Sequence, residues 1–507
     1  MDCILIRPPF EHTGFDQDYQ ESLGTASLAA SLRQAGFTVA IIDGELQNLT
    51  PEEIVDMIIT AAPAVAGFSI MSAAALESAA FIAAEIKRRS SISIHLTAGG
   101  YLPSFFPEAL EKEIPQLDSI CPFEGEATLP LLVESIIQKS SAPVSGVIIT
   151  GKDINTAPLP AVKVTDLNRL PLPARDMLPA VLKKGLPATI SGSRGCSGSC
   201  TFCSVVRFSM KACGIPLRQR SPENIILELK NLSNRGVSVV HFIDDDFIGS
   251  LPEGLSRARR LARLIIDENL KIIFYLECRP DHIEEKTFTL LKQAGLAGVF
   301  LGIDSAVERT RLLYNKESSM DQVEAALSVL KRLSIHTDTG FIPLHPFASL
   351  EDIEEEYNFL FRHNLDTLHT LLNRFYSTPE SPLSRRLLAS GLLTPQDDFE
   401  YKWTFSDPRT SLYFETASTA LKPLFPRWYS LYRKTYTERN QNMISGTDSS
   451  ACQNMLSSIN SDIRDAALEI INFVKEERAD DLLSFTRSIR RRLSENFSFY
   501  EKEDNDE

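Results

Sequence analysis

Arg194-Gly195-Cys196-Ser197-Gly198-Ser199-Cys200-Thr201-Phe202-Cys203 is the stretch on which the reading of this chain turns. Its cysteines follow a C-x3-C-x2-C spacing, with an aromatic residue just before the last. Thiolates are soft ligands that suit iron–sulfur sites, and three on a short loop hold three irons of a cubane [4Fe–4S] cluster. The fourth iron then has no protein ligand, and an open position at a metal is where a substrate or cofactor binds. Two plainer readings fit less well. A structural zinc site wants four ligands at related spacings; no second CxxC pair stands elsewhere, and Cys213 brings no matching half-motif. A disulfide framework needs a denser set than eight cysteines in 507 residues.

The bulk properties suit an intracellular enzyme of two to four domains. Hydrophobic content of 43% and charged content of 23% are ordinary for a globular protein. A formal net charge of −15 argues against general nucleic-acid binding. The N-terminus, Met-Asp-Cys-Ile-Leu-Ile-Arg-Pro-Pro, is not a secretory signal. The most membrane-like window, 63–86, carries Ser and Glu77 and reads as a buried strand and a helix, so no membrane span is expected and the chain is expected in the cytoplasm.

Over residues 1–140 strands and helices alternate. Strands are expected at 3–7, 38–43, 64–71, 92–98 and 117–122, and helices at 25–35, 51–62, 73–89, 106–113 and 128–138. Alternating βα units give a parallel sheet with helices on both faces, a doubly wound α/β domain whose ligands bind at the carboxyl ends of the strands. Those ends carry Pro8, Ser72, Gly99, Gly100 and Glu124. Glycines there let a backbone approach a large flat ligand. Residues 141–180 become Ser-, Pro- and Gly-rich and read as a linker, with a small hairpin at 146–151.

From residue 181 to 390 the βα rhythm resumes. Strands at 188–191, 238–243, 271–276, 297–303, 336–342 and 367–372 make a partial (β/α)6 TIM-type barrel. The cysteine loop follows the first of them and so falls at the carboxyl-end face, where barrel active sites lie. Residues 391–507 read as a mostly helical C-terminal region, with helices at 399–405, 421–436 and 462–475, a loop at 440–450 and an acidic tail at 501–507. Trp403, Trp428 and Tyr429 read as core residues rather than pocket linings. Cys213 and Cys278 read as small buried hydrophobes rather than active-site thiols.

The 194–203 stretch resembles the cluster motif of the radical S-adenosylmethionine (SAM) superfamily, in which the open iron chelates SAM and the reduced cluster cleaves it to a 5′-deoxyadenosyl radical. Residues 24–36 with Asp43, Ala98-Gly99-Gly100 and 123–128 resemble the cobalamin-binding (B12) domain found before many such enzymes. One departure stands out: the family's D-x-H-x-x-G cobalt-ligand motif is missing, and His12 does not fit it. The resemblance implies a cobalamin-binding-domain radical SAM enzyme with three cofactors: a [4Fe–4S] cluster on Cys196, Cys200 and Cys203, SAM, and cobalamin near Pro8, Ser72, Gly99, Gly100 and Glu124. It places Phe202, Asp244, Asp245, Glu277, Arg279 and Ser305 at SAM. Asp304 stands where the family has Glu, which leaves its contact in doubt. For Asp244 and Asp245 the alternative is support of loop backbone, and for Arg279 a structural ion pair. The implied reaction is methylation of an unactivated carbon or phosphorus of a small-molecule or peptide natural-product precursor. The alternatives are a radical cyclisation or rearrangement, or a non-catalytic corrinoid or SAM sensor. An electron donor such as flavodoxin or ferredoxin is the implied partner.

Overall fold

The computed structural model describes residues 1–10, 20–151, 160–378, 381–395, 399, 401–447, 449–476 and 481–506, with side chains as far as 498. His12 and Glu507 lie outside the described residues. The N-terminal strands are Cys3–Arg7 (β1), Val39–Asp43 (β2), Val65–Ser69 (β3), His95–Gly100 (β4), Ser119–Pro122 (β5) and Ile148–Ile149 (β6). Their near-continuous burial marks a sheet covered on both faces, as parallel sheets are. The order is β2-β1-β3-β4-β5-β6, so the winding reverses between β1 and β3. A crevice opens at such a switch point. Thr50 builds a capping box with Glu53 and starts the helix Pro51–Ala61. The expected 146–151 hairpin does not form. Ile148–Ile149 instead pairs antiparallel with β5, because buried Val147 and the bonds from Thr150 to Leu117 and Asp118 hold it on the existing sheet edge.

The second sheet contains Ala188–Ile190 (β7), Val239–Phe242 (β10), Ile273–Cys278 (β11), Leu296–Asp304 (β12) and His336–Phe341 (β13), all parallel. Between β7 and β10 a small hairpin, Ser193–Gly195 (β8) with Leu217–Gln219 (β9), frames the cysteine loop. The expected sixth strand at 367–372 is instead the helix Leu368–Leu372. Thr367 and Thr370 cap one another, which favours helix over ladder, and only a single bridge, Leu344–Arg374, marks the sixth position. The expected helix at 399–405 is in its described part the strand Tyr401–Trp403, paired antiparallel with Leu393–Pro395. Alternation of exposed Lys402 and buried Trp403 explains it. Helix Phe425–Ser445 runs further than expected and ends at Gly446, where φ is 72°. Helix Leu482–Asp506 extends into the acidic tail. The C-terminal helices share one continuous apolar core with the barrel, through Tyr413, Leu421, Ile463 and Ile470. Among the described residues no helix is long and apolar enough to cross a membrane.

Buried arginines fasten the two sheets together. Arg175 reaches Glu21 and Glu228 at 2.5 Å each and the carbonyl of Thr189 at 2.9 Å. Arg220 adds a 2.6 Å bond to Glu228. Replacing Arg175 with Met would leave the buried Glu21 carboxylate without its counter-charge, while Glu228 keeps Arg220. The expected cost is about 3–5 kcal/mol. Thermal and urea unfolding of Arg175→Met check this; a near-wild-type midpoint would show the bridge to be dispensable.

Candidate active site between the two sheets

The cysteine loop is set by its frame. Gly195 has φ +89°, and a Cβ there would lie 2.0 Å from the carbonyl of Pro216, so only glycine lets β8 and β9 close this tightly. The amide of Cys196 donates to that same carbonyl at 3.2 Å. Cys196, Cys200 and Cys203 are half-buried. The amide of Gly198 donates to Cys196 Sγ at 3.3 Å, and that of Val205 to Cys203 Sγ at 3.4 Å. Amide donors aimed at sulfur stabilise thiolate, the form a metal needs. Burial nevertheless pushes the Cys196 thiol up to about 12 and the Cys203 thiol up to about 11, and raises Cys200 as well. Cluster assembly must therefore release protons. Three unlinked soft donors with amide support fit a cluster site.

A set of polar side chains braces the same loop from below. Ser197 donates to Asp246 at 2.9 Å, and Asp246 meets His282 at 3.2 Å. Ser199 donates to Glu317 at 2.7 Å, and Glu317 pairs with Arg279 at 2.8 Å. Between these serines, a Cβ on Gly198 would lie 2.4 Å from Arg279 Nη1. Glycine therefore lets the guanidinium lie against the loop. Arg279 also pairs with Asp281 at 2.9 Å, so its partners are Asp281 and Glu317 rather than Glu277. Asp246, Cys278 and His282 place three potential ligand atoms within 4.8 Å of one another, but one Asp246 oxygen is already taken by Ser197 of the loop and the other by His282 itself. Asp246, His282 and Glu317 were not singled out from sequence. Asp246 sat in the visible Asp244-Asp245-Asp246 run; Glu317 lies far from any motif.

The residues expected at SAM divide. Asp244 is fully buried, accepts from the Gly192 amide at 2.8 Å and from Ser193, and lies 4.0 Å from Arg257. It ties β7 to β10. Asp245 faces a cleft, where its carboxyl is pushed up to about 6 by desolvation and by Asp244. The side chain is open to solvent inside the cleft, which tempers that shift. Glu277 is half-buried beside Asp245 and pushed up to about 7 by burial and the neighbouring carboxylates. Phe202 packs edge-on against Tyr314, with ring centroids 5.0 Å apart. Ser305 is fully buried and donates to Glu356. Asp304 adopts φ 66° and is held by Lys316 at 2.6 Å. Cys213 and Cys278 are both buried, with thiols donating to backbone carbonyls.

Above this lies a cavity of about 500 Å³ walled by both sheets. Leu5, Gly67, Ser69, Gly99 and Gly100 come from strands β1, β3 and β4 of the N-terminal sheet; Ser193, Arg194, Gly195, Phe208 and Asp245 come from the barrel. Of the expected cobalamin residues Gly99, Gly100 and Glu124 line it. Pro8 is buried away from it and Ser72 is exposed outside it. Glu124 is fully engaged by Arg194 at 3.0 Å and by both amino groups of Arg218 at 2.7 and 2.8 Å. Burial opposes ionisation there, but the two arginines hold the carboxyl below its ordinary value. Gly24 also lines the cavity, and a Cβ on it would meet nothing within 4 Å. Among the described residues no histidine lines the cavity. A largely apolar wall with open space over glycine suits a broad flat ligand.

Comparison with known proteins gives the same two halves. A B12 binding domain model matches residues 17–133, and a radical SAM superfamily model matches residues 190–360. An uncharacterized methyltransferase, PH0819, of Pyrococcus horikoshii is 27% identical over 449 residues, 85% of this chain and 92% of the relative. The hopanoid C-3 methylase of Methylococcus capsulatus is 29% identical over 325 residues, 62% of this chain and 59% of the relative. Anaerobic magnesium-protoporphyrin IX monomethyl ester cyclases match at 22–25% identity. The solved structure of the cobalamin-dependent SAM radical enzyme OxsB, with aqua-cobalamin and SAM bound, superposes with a TM-score of 0.78 at 19% identity, covering 99% of this chain and 80% of that one. A radical SAM domain takes a [4Fe–4S] cluster and SAM, and a B12-binding domain takes cobalamin, so the three cofactors follow from the two matches. With the cluster loop and the strand-end cavity joined in one cleft, the chain belongs to the cobalamin-binding-domain-containing radical SAM enzymes.

Proposed function

We propose that this enzyme is a cobalamin-dependent radical SAM methyltransferase acting on an unactivated carbon or phosphorus of a small-molecule or peptide substrate. The observation that carries this reading is the shared cavity: glycines at the N-terminal strand ends and the rim of the cysteine loop wall one space. When bound, cluster and SAM supply a hydrogen-abstracting radical, and cobalamin supplies a methyl group. The chain's own part is to hold and to shield. Cys196, Cys200 and Cys203 are the metal ligands. Arg279, fixed by Asp281 and Glu317 over Gly198, sets the loop's shape and offers its remaining edge to the SAM carboxylate. Asp245 and Glu277 accept hydrogen bonds from the SAM amino group or ribose, and Phe202 backs the adenine. Asp244 and Ser305 support these groups from behind. Gly24 leaves room for the corrin, Gly99 and Gly100 present backbone to the same cavity, and the Glu124–Arg194–Arg218 cluster closes the cleft. The domain plan is 1–140, 141–180, 181–390 and 391–507, with residues 148–149 of the second segment returning as an edge strand of the first sheet. The electron enters from a flavodoxin or ferredoxin. The ring-forming reading is kept because cyclases are among the relatives.

Three outcomes are expected. Anaerobically reconstituted protein with cobalamin, SAM and reductant should form both 5′-deoxyadenosine and S-adenosylhomocysteine. The first product alone favours ring formation, and neither product sinks the enzyme reading. Replacing Cys196, Cys200 and Cys203 together by Ala should remove the iron absorbance and all 5′-deoxyadenosine. Gly24→Leu, whose Cβ would meet nothing within 4 Å, should project into the cavity and abolish binding of about one cobalamin per chain, while iron content stays at wild-type level. Retained cobalamin would move that site elsewhere.

A pH effect follows from Glu277. Its raised pKa keeps it partly protonated near neutrality, and the ionised form is the better acceptor. SAM affinity should therefore rise as pH increases from about 6 to about 8. Calorimetry on Glu277→Gln should show this slope flattened; an unchanged slope would remove Glu277 from the site.

A further inference from the structure

The barrel holds a second chamber, of about 420 Å³, below the level of Glu277. Side chains that point to the lumen rather than to the outer helices line it: His241 from β10, Tyr275 from β11, Phe300 from β12, and His336 and Asp338 from β13. The Phe300 ring packs against β13, where a Cβ on Gly340 would lie 3.1 Å from Phe300 Cε1. Tyr275 and Glu277 share one face of β11, so the chamber adjoins the SAM level. Its floor comes from one face of helix Phe425–Ser445, with Trp428, Tyr432, Tyr436 and Arg439 at near-helical repeats. The rings are ordered: Trp428 stacks on Tyr432 at 5.3 Å, and Tyr275 lies 4.8 Å from Tyr436. The floor lies beyond residue 360, outside both matched domain models.

The charges around the chamber do not cancel. Asp366 is fully paired with Arg464, at 2.8 and 2.9 Å. Asp338 accepts from His336 at 3.1 Å and from Tyr432 at 3.0 Å. Although burial opposes it, His336 and Arg439 hold the Asp338 carboxyl down at about 2, so it stays ionised and matched to Arg439. Arg433 remains. Its half-buried side chain lines the chamber with no hydrogen bond or acidic partner among the described residues. A guanidinium left over beside stacked aromatic rings asks for an anion on a planar body.

We propose that this chamber binds the non-reacting part of the substrate, an aromatic or otherwise planar group carrying one carboxylate or phosphate that pairs with Arg433. Its identification as substrate rests on the radical SAM reading; occupancy of the chamber does not. The reacting end would then lie upward, toward Glu277 and the cluster loop, while the C-terminal region sets specificity.

The test is ligand binding by the full-length protein without SAM, so it stands or falls apart from the cluster. Phenylacetate, phenyl phosphate, benzylamine and benzyl alcohol are titrated by saturation-transfer NMR and by fluorescence, Trp428 being one of two tryptophans in the chain. One or both anions should bind at least about tenfold tighter than amine or alcohol, a ratio in keeping with one charge-assisted hydrogen bond. Preference between the two anions tells a phosphate ester from a carboxylic acid. Arg433→Met should lose about tenfold of that affinity and Arg433→Lys should regain part of it, both with unchanged circular dichroism. The proposal is overturned if amine or alcohol binds as well as the anions, if Arg433→Met leaves anion affinity unchanged, or if no probe binds at millimolar concentration.

Discussion

Everything in this molecule depends on two parallel sheets being held with their carboxyl edges toward one cleft. The fastening is electrostatic and buried. Glu124, at the end of β5, is gripped by Arg194 of β8 and Arg218 of β9, the hairpin that frames the cysteine loop. Glu126 takes the second amino group of Arg194 at 2.5 Å. Thus the N-terminal sheet and the cluster loop share the same ion pairs, and the geometry of one fixes the other. Such pairs add little net stability against an apolar substitute, but breaking one partner is costly, so they act mainly to set register.

The cleft uses glycine as a spacing device in three different ways. Gly195 lets two backbone segments close to contact, Gly198 lets an arginine lie on the loop, and Gly24 leaves open space above helix Leu23–Gln34. Each follows from the missing Cβ, yet only the last makes room for a ligand. Gly100 belongs with the first kind, since its Cβ would lie 2.7 Å from the carbonyl of Ile70. A glycine at a strand end is therefore as often a packing need as a ligand cradle.

That distinction explains what the sequence made legible. The cysteine loop, the doubly wound order and most helices were readable because spacing, capping and hydrophobic period are local properties. The caps Thr50 of helix Pro51–Ala61 and Ser221 of helix Pro222–Asn234 are local features of this kind. The sixth barrel strand was misread because Thr367-Leu-His-Thr370 suits a capped helical turn as well as a strand. Partner choice was out of reach: Glu124 reads as a strand-end carboxylate, but its engagement by Arg194 and Arg218 spans 70 and 94 residues of chain. Likewise Trp428 is core by composition and wall by placement, which only the packing of the C-terminal helices onto the barrel decides.

Cobalamin and cluster sites that open onto one cleft bring two paramagnetic centres close together. Pulsed electron paramagnetic resonance on protein loaded with Co(II) cobalamin and a reduced cluster measures this directly. A resolved dipolar coupling between the two spins, lost when Cys196, Cys200 and Cys203 are replaced, is the expected outcome. Two full-strength but uncoupled signals from the same sample would contradict it.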